Sequence, residues 1–545
     1  MPDFDAIIIG AGMSGMYQLI RLRELGMKVR VLEAGTGVGG TWYWNRYPGA
    51  RFDSESYSYG FSFDPELLQE WSWSEHFAPQ PETLRYLNRV AEKYDLHRDI
   101  QFNAEVKSAH HTGGGWRVTL ADGSTHEARF LITAIGPLSA HTLPRIKGIE
   151  SFRGPSFHTA RWPKEGIDFS GKRVAVIGTG ATGVQTIQEV AKTAGHLTVF
   201  QRTPNWCAPL HNRPIAEEEQ RRIKDEYPEM FRRCAETFAC FIHTADPRST
   251  FEVTKDEREA FYDELYASPG FGIWVGNFKD SYTDPTANAE ISDFIARKIR
   301  SRVKDPRIAE MLIPKNHGFG TRRVPMETRY FEVYNQPNVE LVDSKAAPIT
   351  RITPTGLSTT ERDFEFDIII YATGFDGLTG AFDRIDIRGR DGLSLRQAWS
   401  DGARTLVGML AEGFPNMFML LGPHTALGNI PRSIEFNVEW VAALLRHVQE
   451  HGLTEAEARP EAVEAWMAHV MECSIGLLAN EVDSWFTGVN KNVEGRQTRT
   501  IARYSGSAPA YRARCEEIAA GGYAELRFTP ACGSVSDPAS SSVPA

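Results

Sequence analysis

Two segments of the chain share the residue spacing that can hold the phosphates of a dinucleotide. Residues 5–20 read DAIIIGAGMSGMYQLI and residues 173–188 read RVAVIGTGATGVQTIQ, each an apolar run, then G-x-G-x-x-G, then a helical pattern. The glycines are Gly10, Gly12 and Gly15 in the first segment and Gly178, Gly180 and Gly183 in the second. They permit a tight turn, a close backbone approach to a pyrophosphate, and packing of helix on strand. Since the first N–H groups of each helix then face the phosphates, the sequence predicts two dinucleotide sites.

The strand that follows each glycine loop ends in a residue that could select the nucleotide. Glu33 closes the first of these strands, 18 residues after Gly15, and a carboxylate there can accept a hydrogen bond from a ribose hydroxyl. The first site could therefore hold FAD or NAD. The second run, HLTVFQR, has no acid and ends in Arg202, whose cation suits a 2′-phosphate and favours NADP over NAD. The alternative is that Arg202 is an ordinary surface arginine.

These segments predict an α/β fold with two Rossmann-like dinucleotide-binding domains, for FAD and NADP, and a helical insertion. The runs EARFLITAIG (127–136) and EFDIIIYATG (365–374) resemble each other. In flavoproteins that bind two dinucleotides, strands of this kind carry the chain between the FAD and NADP domains. The predicted parts are an FAD-binding domain over 1–140 and 371–530, an NADP-binding domain over 150–207 and 320–370, a charged helical insertion over 208–318, and a disordered tail over 533–545.

The composition argues against several classes of protein. Lys and Arg number 60 against 70 Asp and Glu, and the net charge of −10 disfavours a nucleic-acid partner. The six cysteines form no C-x-x-C pair, which disfavours a zinc ribbon or a dithiol redox centre and fits the cytoplasm. No apolar run reaches the length of a membrane span, no signal peptide is visible, and the histidines show no spacing typical of metal ligands.

Two further motifs are more specific. Residues 152–163, FRGPSFHTARWP, fit F-x-G-x-x-x-H-T-x-x-W-P, and residues 39–53, GGTWYWNRYPGARFD, fit G-G-x-W-x-x-x-x-Y-P-G-x-x-x-D. On these motifs the sequence resembles the Baeyer–Villiger monooxygenases, the class B flavoproteins that convert ketones to esters or lactones. The resemblance extends from Asp5 to about Arg527.

The resemblance implies an enzyme that uses FAD, NADPH and O₂ on a small-molecule ketone. Reduced FAD would form a C4a-peroxyflavin, which attacks the ketone to give a tetrahedral adduct, while NADP⁺ stays bound. An aliphatic or alicyclic ketone is the preferred substrate class. The natural ketone, the enantiopreference and the oligomeric state do not follow from the sequence.

The catalytic cation is expected in the segment GFGTRRVPMETRY. An anionic oxygen species in a water-poor site needs a fixed positive charge. The resemblance assigns this role to Arg323, held by Asp53, while Arg322 stands where the family usually has lysine and would reach the NADP phosphate. Without the resemblance, the Arg-Arg pair would be interpreted as a solvated surface turn and Asp53 as a loop cap.

Other positions match family residues that contact the cofactors. For FAD they are Gly40, Thr41, Trp42, Tyr43, Trp44, Asp53, Tyr59, the backbone of Val106, and Ile430; for NADP they are Gly178, Thr179, Gly180, Ala181, Thr182, Gly183, Val184, Gln185, Arg202 and Thr203. Trp485, in the lid-like segment SWFTGVN, would fold over NADP and exclude water. His158 is expected to couple the domains and not to act in acid–base catalysis.

The pocket is where the sequence departs from several relatives, which carry a longer serine-rich bulge. Residues 424–429 form a shorter stretch here, with Leu427, Ile430 and Phe486 as apolar candidates for the ketone pocket. The alternative function is a related flavin monooxygenase that oxygenates sulfur or nitrogen. A flavin disulfide reductase is disfavoured by the lack of C-x-x-C, and a non-catalytic flavin-binding module by the retained arginine and aspartate.

Overall fold

The protein, a computed structural model, is described over residues 2–530, and the tail expected at 533–545 lies outside the described residues. Its framework is two β-sheets, and the strand before each glycine loop is an inner strand of one sheet. In the larger sheet, Phe4–Ile9 pairs in parallel with Val29–Leu32 on one side and Thr125–Thr133 on the other. From edge to edge the order is Asp386–Arg388, Val106–His111, Trp116–Leu120, Thr125–Thr133, Phe4–Ile9, Val29–Leu32 and Ile100–Gln101, with Met417–Met419 paired to Thr125–Thr133.

The smaller sheet has five strands, and all of its pairings are parallel. The strand Arg173–Ile177 lies between His196–Gln201 and Ile368–Tyr371. The outer strands are Val339–Asp343 and Ser156–His158. Residues along the central strands alternate between two separate cores, as the apolar runs of a sheet covered on both faces require.

Each glycine loop leads into a helix at the carboxyl end of its strand. The helix after the first loop is Met13–Glu24, and the helix after the second is Ala181–Val190. The first of these packs against the long helix Ile430–Glu450, so the N-terminal and C-terminal parts of the chain share one core. This arrangement is the Rossmann-like geometry predicted from the two glycine segments, and the predicted α/β fold class is confirmed.

The region 208–318 is largely helical and joins the core of the smaller sheet. Its helices are Glu217–Glu236, Lys255–Ala267, Gly272–Val275, Pro285–Arg302 and Pro306–Leu312. On the fourth of these, Ile291, Ile295 and Ile299 are one helical turn apart and almost fully buried. Asp284 caps that helix by accepting hydrogen bonds from two backbone N–H groups of its first turn.

The remaining elements are short or peripheral. The other α-helices are Thr41–Trp44, Ser56–Tyr59, Pro65–Glu70, Gln80–Lys93, Tyr330–Val333, Leu395–Ala398, Pro460–Ser474 and Ala508–Ala520. Three small sheets join Ala208–Pro209 to Met326–Glu327, Leu453–Ala458 to Leu526–Pro530, and Ile349–Thr353 to Gly356–Thr359 and Asp363–Glu365. Over residues 2–530, none of the helices combines the length and the apolar character needed to cross a membrane.

Candidate active site

The two glycine loops have the same backbone geometry. Gly10 and Gly178 have φ values of +105° and +111°, a region that favours glycine. A side-chain carbon at Gly10 would collide with the carbonyl oxygen of Ala134, and one at Gly178 would collide with that of Ala372. Ala134 and Ala372 follow the strands of the two similar runs at 127–136 and 365–374. The resemblance between these runs therefore reflects a shared task, which is to support the turn of a glycine loop.

The middle glycine of each loop directly precedes its helix. A side-chain carbon at Gly180 would meet no atom within 4 Å, so this loop is open above Ala181, where the helix begins. Gly12 lies against Gly40, whose φ is +53°. The GG-W segment thus approaches the first loop closely at two glycines, and both loops fit a pyrophosphate on a helix N-terminus.

Glu33 is held rigidly at the mouth of the first loop. Its two carboxylate oxygens accept hydrogen bonds from the backbone N–H groups of Ala11, at 2.8 Å, and Gly35, at 2.7 Å. Burial raises the pKa of Glu33, although both hydrogen bonds oppose this shift. Each oxygen keeps a lone pair, so the oriented carboxylate can also accept a ribose hydroxyl.

The structure brings Asp53 and Arg323 together in an ion pair. The guanidinium Nη2 of Arg323 donates to Oδ2 of Asp53 at 2.8 Å. The same oxygen accepts the backbone N–H of Met326 at 3.1 Å, and the aspartate side chain is only 2% exposed. Arg323 keeps 30% of its side chain exposed. The aspartate is therefore a buried anchor, and the arginine is the partner that can still reach a ligand.

Aromatic side chains form a wall around the guanidinium of Arg323. Its central carbon lies 5.2 Å from the ring centre of Phe271 and 5.8 Å from that of Trp274. Phe241 packs against Phe271 with ring centres 4.9 Å apart. All three aromatic residues come from the helical region 208–318, which sequence reasoning treated only as an insertion. Their surface is apolar and suits a ketone.

Gln185 joins the motif at 39–53 to the helix of the second loop. Its side-chain oxygen accepts the hydroxyl of Tyr47 at 2.7 Å, and its nitrogen donates to the carbonyl of Arg51 at 3.1 Å and to Asp53 at 3.4 Å. The neighbouring Val184 is fully buried. The side chains of these two predicted NADP contacts are thus engaged within the protein.

The aromatic residues of the GG-W loop are fixed by specific partners. The indole N–H of Trp42 donates to the hydroxyl of Tyr59 at 3.1 Å, and the hydroxyl of Tyr43 accepts the backbone N–H of Thr36 at 3.0 Å. Trp44 carries the guanidinium of Arg161 4.3 Å from its ring centre. Arg161 belongs to the 152–163 motif, so the two specific motifs meet at this point. Sequence reasoning missed Arg161, although its place in the motif was a usable signal.

Two arginines, Arg202 and Arg322, lie near the end of the strand His196–Gln201, which follows the second glycine loop. Arg202 is exposed, whereas Arg322 is half-buried, and the Nε of Arg322 has no hydrogen-bond partner within residues 2–530. Burial and the nearby charge of Arg202 lower the pKa of Arg322, while Asp483 opposes the shift. The hydroxyl of Thr179 donates to the carbonyl of Thr203 at 3.2 Å and closes the loop. Two neighbouring cations with a vacant donor fit a phosphate.

Three further predicted residues lie at the starts of other elements. Trp485 begins a short 3₁₀ turn, packs edge-on against Phe486 with ring centres 4.4 Å apart, and borders Gly377. Ile430 is the first residue of the helix Ile430–Glu450, and Val106 begins a strand of the larger sheet. Asn490, at the end of the lid-like segment, donates to the carbonyl of Phe375 at 3.0 Å, which attaches this segment to the turn after the strand Ile368–Tyr371.

His158 ends Ser156–His158, an outer strand of the smaller sheet, and its ring lies next to that of His141. Its Nδ1 accepts the backbone N–H of Ala160, and its ring centre is 5.0 Å from that of His141. Burial, His141 and the charge of Arg161 lower the pKa of His158 to about 3. The imidazole is therefore neutral near pH 7, and the domain-coupling role expected from the sequence stays a prediction.

One buried pair beside the aromatic wall could not be found in the sequence. Nε2 of His243 lies 2.7 Å from Oε1 of Glu55, a glutamate that is almost fully buried. The two residues are separated by 188 positions. Only the location of Glu55, two residues after Asp53, hinted at a role near the site.

Known proteins are similar over the whole of this arrangement. Residues 7–258 match the family described as pyridine nucleotide-disulphide oxidoreductase. The chain is 46% identical to 2-oxo-Delta(3)-4,5,5-trimethylcyclopentenylacetyl-CoA monooxygenase of Pseudomonas putida, covering 96% of this chain and 98% of that protein. It is 43% identical to acetone monooxygenase (methyl acetate-forming) of Gordonia sp. (strain TY-5), covering 95% of this chain and 98% of that protein.

A relative and a solved structure complete the comparison. A crystal structure of OTEMO in complex with FAD and NADP superposes with a TM-score of 0.93 at 46% identity, covering 97% of this chain and 100% of that chain. The Baeyer–Villiger monooxygenase of Pseudooceanicola batsensis is 40% identical, covering 96% of each chain. Identity at this level over nearly full length confirms the resemblance found in the motifs, and the chain belongs to the Baeyer–Villiger monooxygenase family.

Proposed function

We propose that the chain is an NADPH- and O₂-dependent flavin monooxygenase that converts ketones to esters or lactones. The observation that carries this proposal is the ion pair between Asp53 and Arg323, since it sets a partly exposed cation against an apolar wall. The two glycine loops, of which the second is open at Gly180, would supply the sites for the two nucleotides. This combination suits the oxidation of a small apolar carbonyl compound.

The fit of the residues assigns FAD to the first loop and NADPH to the second. Glu33 would hold the ribose of FAD, and the GG-W loop would lie along the flavin. Arg202 and Arg322 would bind the 2′-phosphate of NADPH. The domain division proposed with this assignment is 1–140 and 371–530 for FAD, and 150–207 and 320–370 for NADPH. When bound, FAD supplies the chemistry of hydride acceptance and O₂ activation.

The protein's own contribution centres on Arg323. Its guanidinium would bind and orient the ketone oxygen and stabilise the negative charge that develops there, because a fixed charge acts strongly in a site with little water. Asp53 would hold the guanidinium in one orientation. Phe271 and Trp274 would exclude water from the same space, and Trp485 would cover the nucleotide from the lid-like segment.

The substrate class proposed is an aliphatic or alicyclic ketone. Two relatives bear names with a cyclopentenyl acyl-CoA and with acetone, which differ greatly in size. The wall of Phe241, Phe271 and Trp274 is compatible with ring or chain carbons. A cytoplasmic location, expected from the separated cysteines, stays a prediction.

The test is NADPH consumption by the purified holoenzyme in air with a ketone panel and product identification by mass spectrometry. The panel contains cyclohexanone, a larger cyclic ketone, 2-alkanones, phenylacetone and a thioether. A ketone-stimulated rate with an ester or lactone sixteen mass units heavier is the expected result. Sulfoxide from the thioether without ester from any ketone would instead assign the alternative function, oxygenation of sulfur or nitrogen.

A further inference from the structure

Arg503 is a half-buried arginine that forms no hydrogen bond and no ion pair within residues 2–530. Its central guanidinium carbon lies 4.3 Å from the ring centre of Phe486, and its Nε is inaccessible to solvent and has no hydrogen-bond acceptor among the described residues. Within residues 2–530, no carboxylate forms an ion pair with it. Burial alone lowers the pKa of Arg503 to about 10, with no contribution from a neighbouring charge.

The segment that carries Arg503 runs between the lid-like segment and the pocket stretch. The backbone N–H of Thr500 donates to the carbonyl of Thr487 at 2.9 Å, which joins it to the lid-like segment at 484–490. His424, the first residue of the stretch at 424–429, contacts the carbonyl of Ile501 through Nε2 at 2.8 Å. Its backbone N–H donates to the carbonyl of Ala502 at 3.2 Å. The segment that carries Arg503 is therefore hydrogen-bonded to both segments expected to surround the ketone.

Two other arginines with limited exposure are paired with carboxylates: Arg302 with Glu327 and Glu332, and Arg323 with Asp53. Arg322 resembles Arg503 in having an Nε without a hydrogen-bond partner within residues 2–530, and it is the arginine assigned above to an anionic phosphate. A buried charge without a counter-charge destabilises the fold, and contact with one aromatic face offsets this only in part. A planar guanidinium with unused donors is matched by a carboxylate, which can accept two of its hydrogen bonds in parallel.

We propose that Arg503 binds a carboxylate of the substrate, so that this enzyme favours oxo acids over neutral ketones. The inference rests on the proposed function and specifies its substrate. The ketone would face Arg323, and the carboxylate would lie beneath the lid-like segment at Arg503. Since Phe486 adjoins both Arg503 and Trp485, an anion bound here would contact the lid-like segment directly.

The test compares 2-oxocyclopentylacetate with its methyl ester, in which one added methyl group removes the negative charge. Initial rates of lactone formation are measured for the wild-type holoenzyme, Arg503→Gln, Arg503→Lys and the control Arg404→Gln, in which the same change removes an exposed ion pair with Glu464. We expect the wild type to prefer the acid. Arg503→Gln should lower kcat/KM for the acid about 10- to 150-fold, the loss of one charge-assisted contact, and change the methyl ester less than about twofold. Arg503→Lys should retain part of the preference, and Arg404→Gln all of it.

Three results would overturn the inference. The wild type could use acid and ester equally well. Arg503→Gln could lower kcat/KM equally for the acid and the ester and raise NADPH oxidation without product formation. Arg503 would then stabilise the closed lid-like segment and not bind the substrate. The coenzyme A thioester of the acid could give a higher kcat/KM than the free acid in both the wild type and Arg503→Gln. Arg503 would then not bind a substrate carboxylate.

A binding measurement separates failure of this inference from failure of the proposed function. If cyclohexanone and the whole panel give no ester, the reaction class is wrong whatever Arg503 does. The shift in Tm of the holoenzyme on adding 2-oxocyclopentylacetate then still tests the site. A rise in the wild type and in Arg404→Gln that is absent in Arg503→Gln would support carboxylate binding, and equal shifts in all three would refute it.

Discussion

The substitution Asp53→Asn isolates the charge that orients Arg323. The asparagine side chain has nearly the same shape as that of aspartate but no negative charge. In the wild type, Oδ2 of Asp53 accepts hydrogen bonds from Nη2 of Arg323 at 2.8 Å and from the backbone N–H of Met326 at 3.1 Å. If the amide oxygen of the asparagine keeps accepting both of these groups, its amide nitrogen faces the side-chain nitrogen of Gln185, which donates to the other oxygen of Asp53 at 3.4 Å, so that two donors oppose each other. The guanidinium therefore loses its preference for the orientation directed at the site.

The magnitude follows from the exposure of the two partners. A charge-assisted hydrogen bond contributes about 1.5–3 kcal/mol, and removing one member of a fully buried pair costs about 3–5 kcal/mol. Asp53 is 2% exposed but Arg323 is 30% exposed, so water relieves part of the loss. We take about 2 kcal/mol, which at about 1.4 kcal/mol per factor of ten lowers the rate of ester formation about 30-fold.

The assay measures NADPH oxidation and ester formation side by side under saturating cyclohexanone. We expect Asp53→Asn to keep much of its NADPH oxidation while ester formation falls, so that the ratio of product to NADPH consumed drops. Asp386→Asn is the control, since that aspartate forms an exposed ion pair with Arg388 and should change neither rate by more than about twofold. An Asp53→Asn enzyme that makes ester within threefold of the wild-type rate would refute the assignment of Asp53 as the anchor of Arg323.

Three other changes test separate parts of the site. Arg323→Ala should still be reduced by NADPH in stopped-flow absorbance but form no ester, and normal ester formation would remove Arg323 from the catalytic role. Arg202→Ala should raise KM for NADPH about 10- to 150-fold through the loss of about 1.5–3 kcal/mol and leave KM for NADH nearly unchanged, and equal effects would separate Arg202 from the phosphate. The pKa of His158 is about 3 in the folded protein against about 6.5 when unfolded, so the unfolded chain takes up the proton first and stability falls as the pH drops below about 6.5. Its contribution, up to about 2 kcal/mol lost at pH 5, should appear as a smaller decline of Tm between pH 7 and pH 5 in His158→Gln than in the wild type, and an equal decline would exclude His158 as the source.

The parts of the site that depend on local chain geometry were predictable from the sequence. The glycine spacing predicts a tight turn, and Gly10 and Gly178 have the positive φ values that glycine adopts readily in such a turn. The family and the α/β class followed from motifs of this kind and are confirmed. The individual site residues stay predictions, although the resemblance anticipated the proximity of Asp53 and Arg323.

Contacts between distant segments were not predictable. The pair of Glu55 and His243 joins residues 188 positions apart, and neither segment shows periodicity or spacing that indicates the other. The contact of Phe271 with Arg323 was unpredictable for the same reason, since it also joins distant segments. The isolation of Arg503 was hidden for a different reason, because a sequence shows that an arginine is present but not that every carboxylate lies elsewhere.

The ion pair at the centre of the site joins two separate hydrophobic cores. Phe52, beside Asp53, packs in a core of the larger sheet, whereas Val324, beside Arg323, packs in a core of the smaller sheet. A slight slip between these cores would part the two charges while both glycine loops kept their shape. Partial denaturation, heating or a distant mutation should therefore first uncouple this enzyme. It would still consume NADPH and oxygen but no longer transfer oxygen to the ketone.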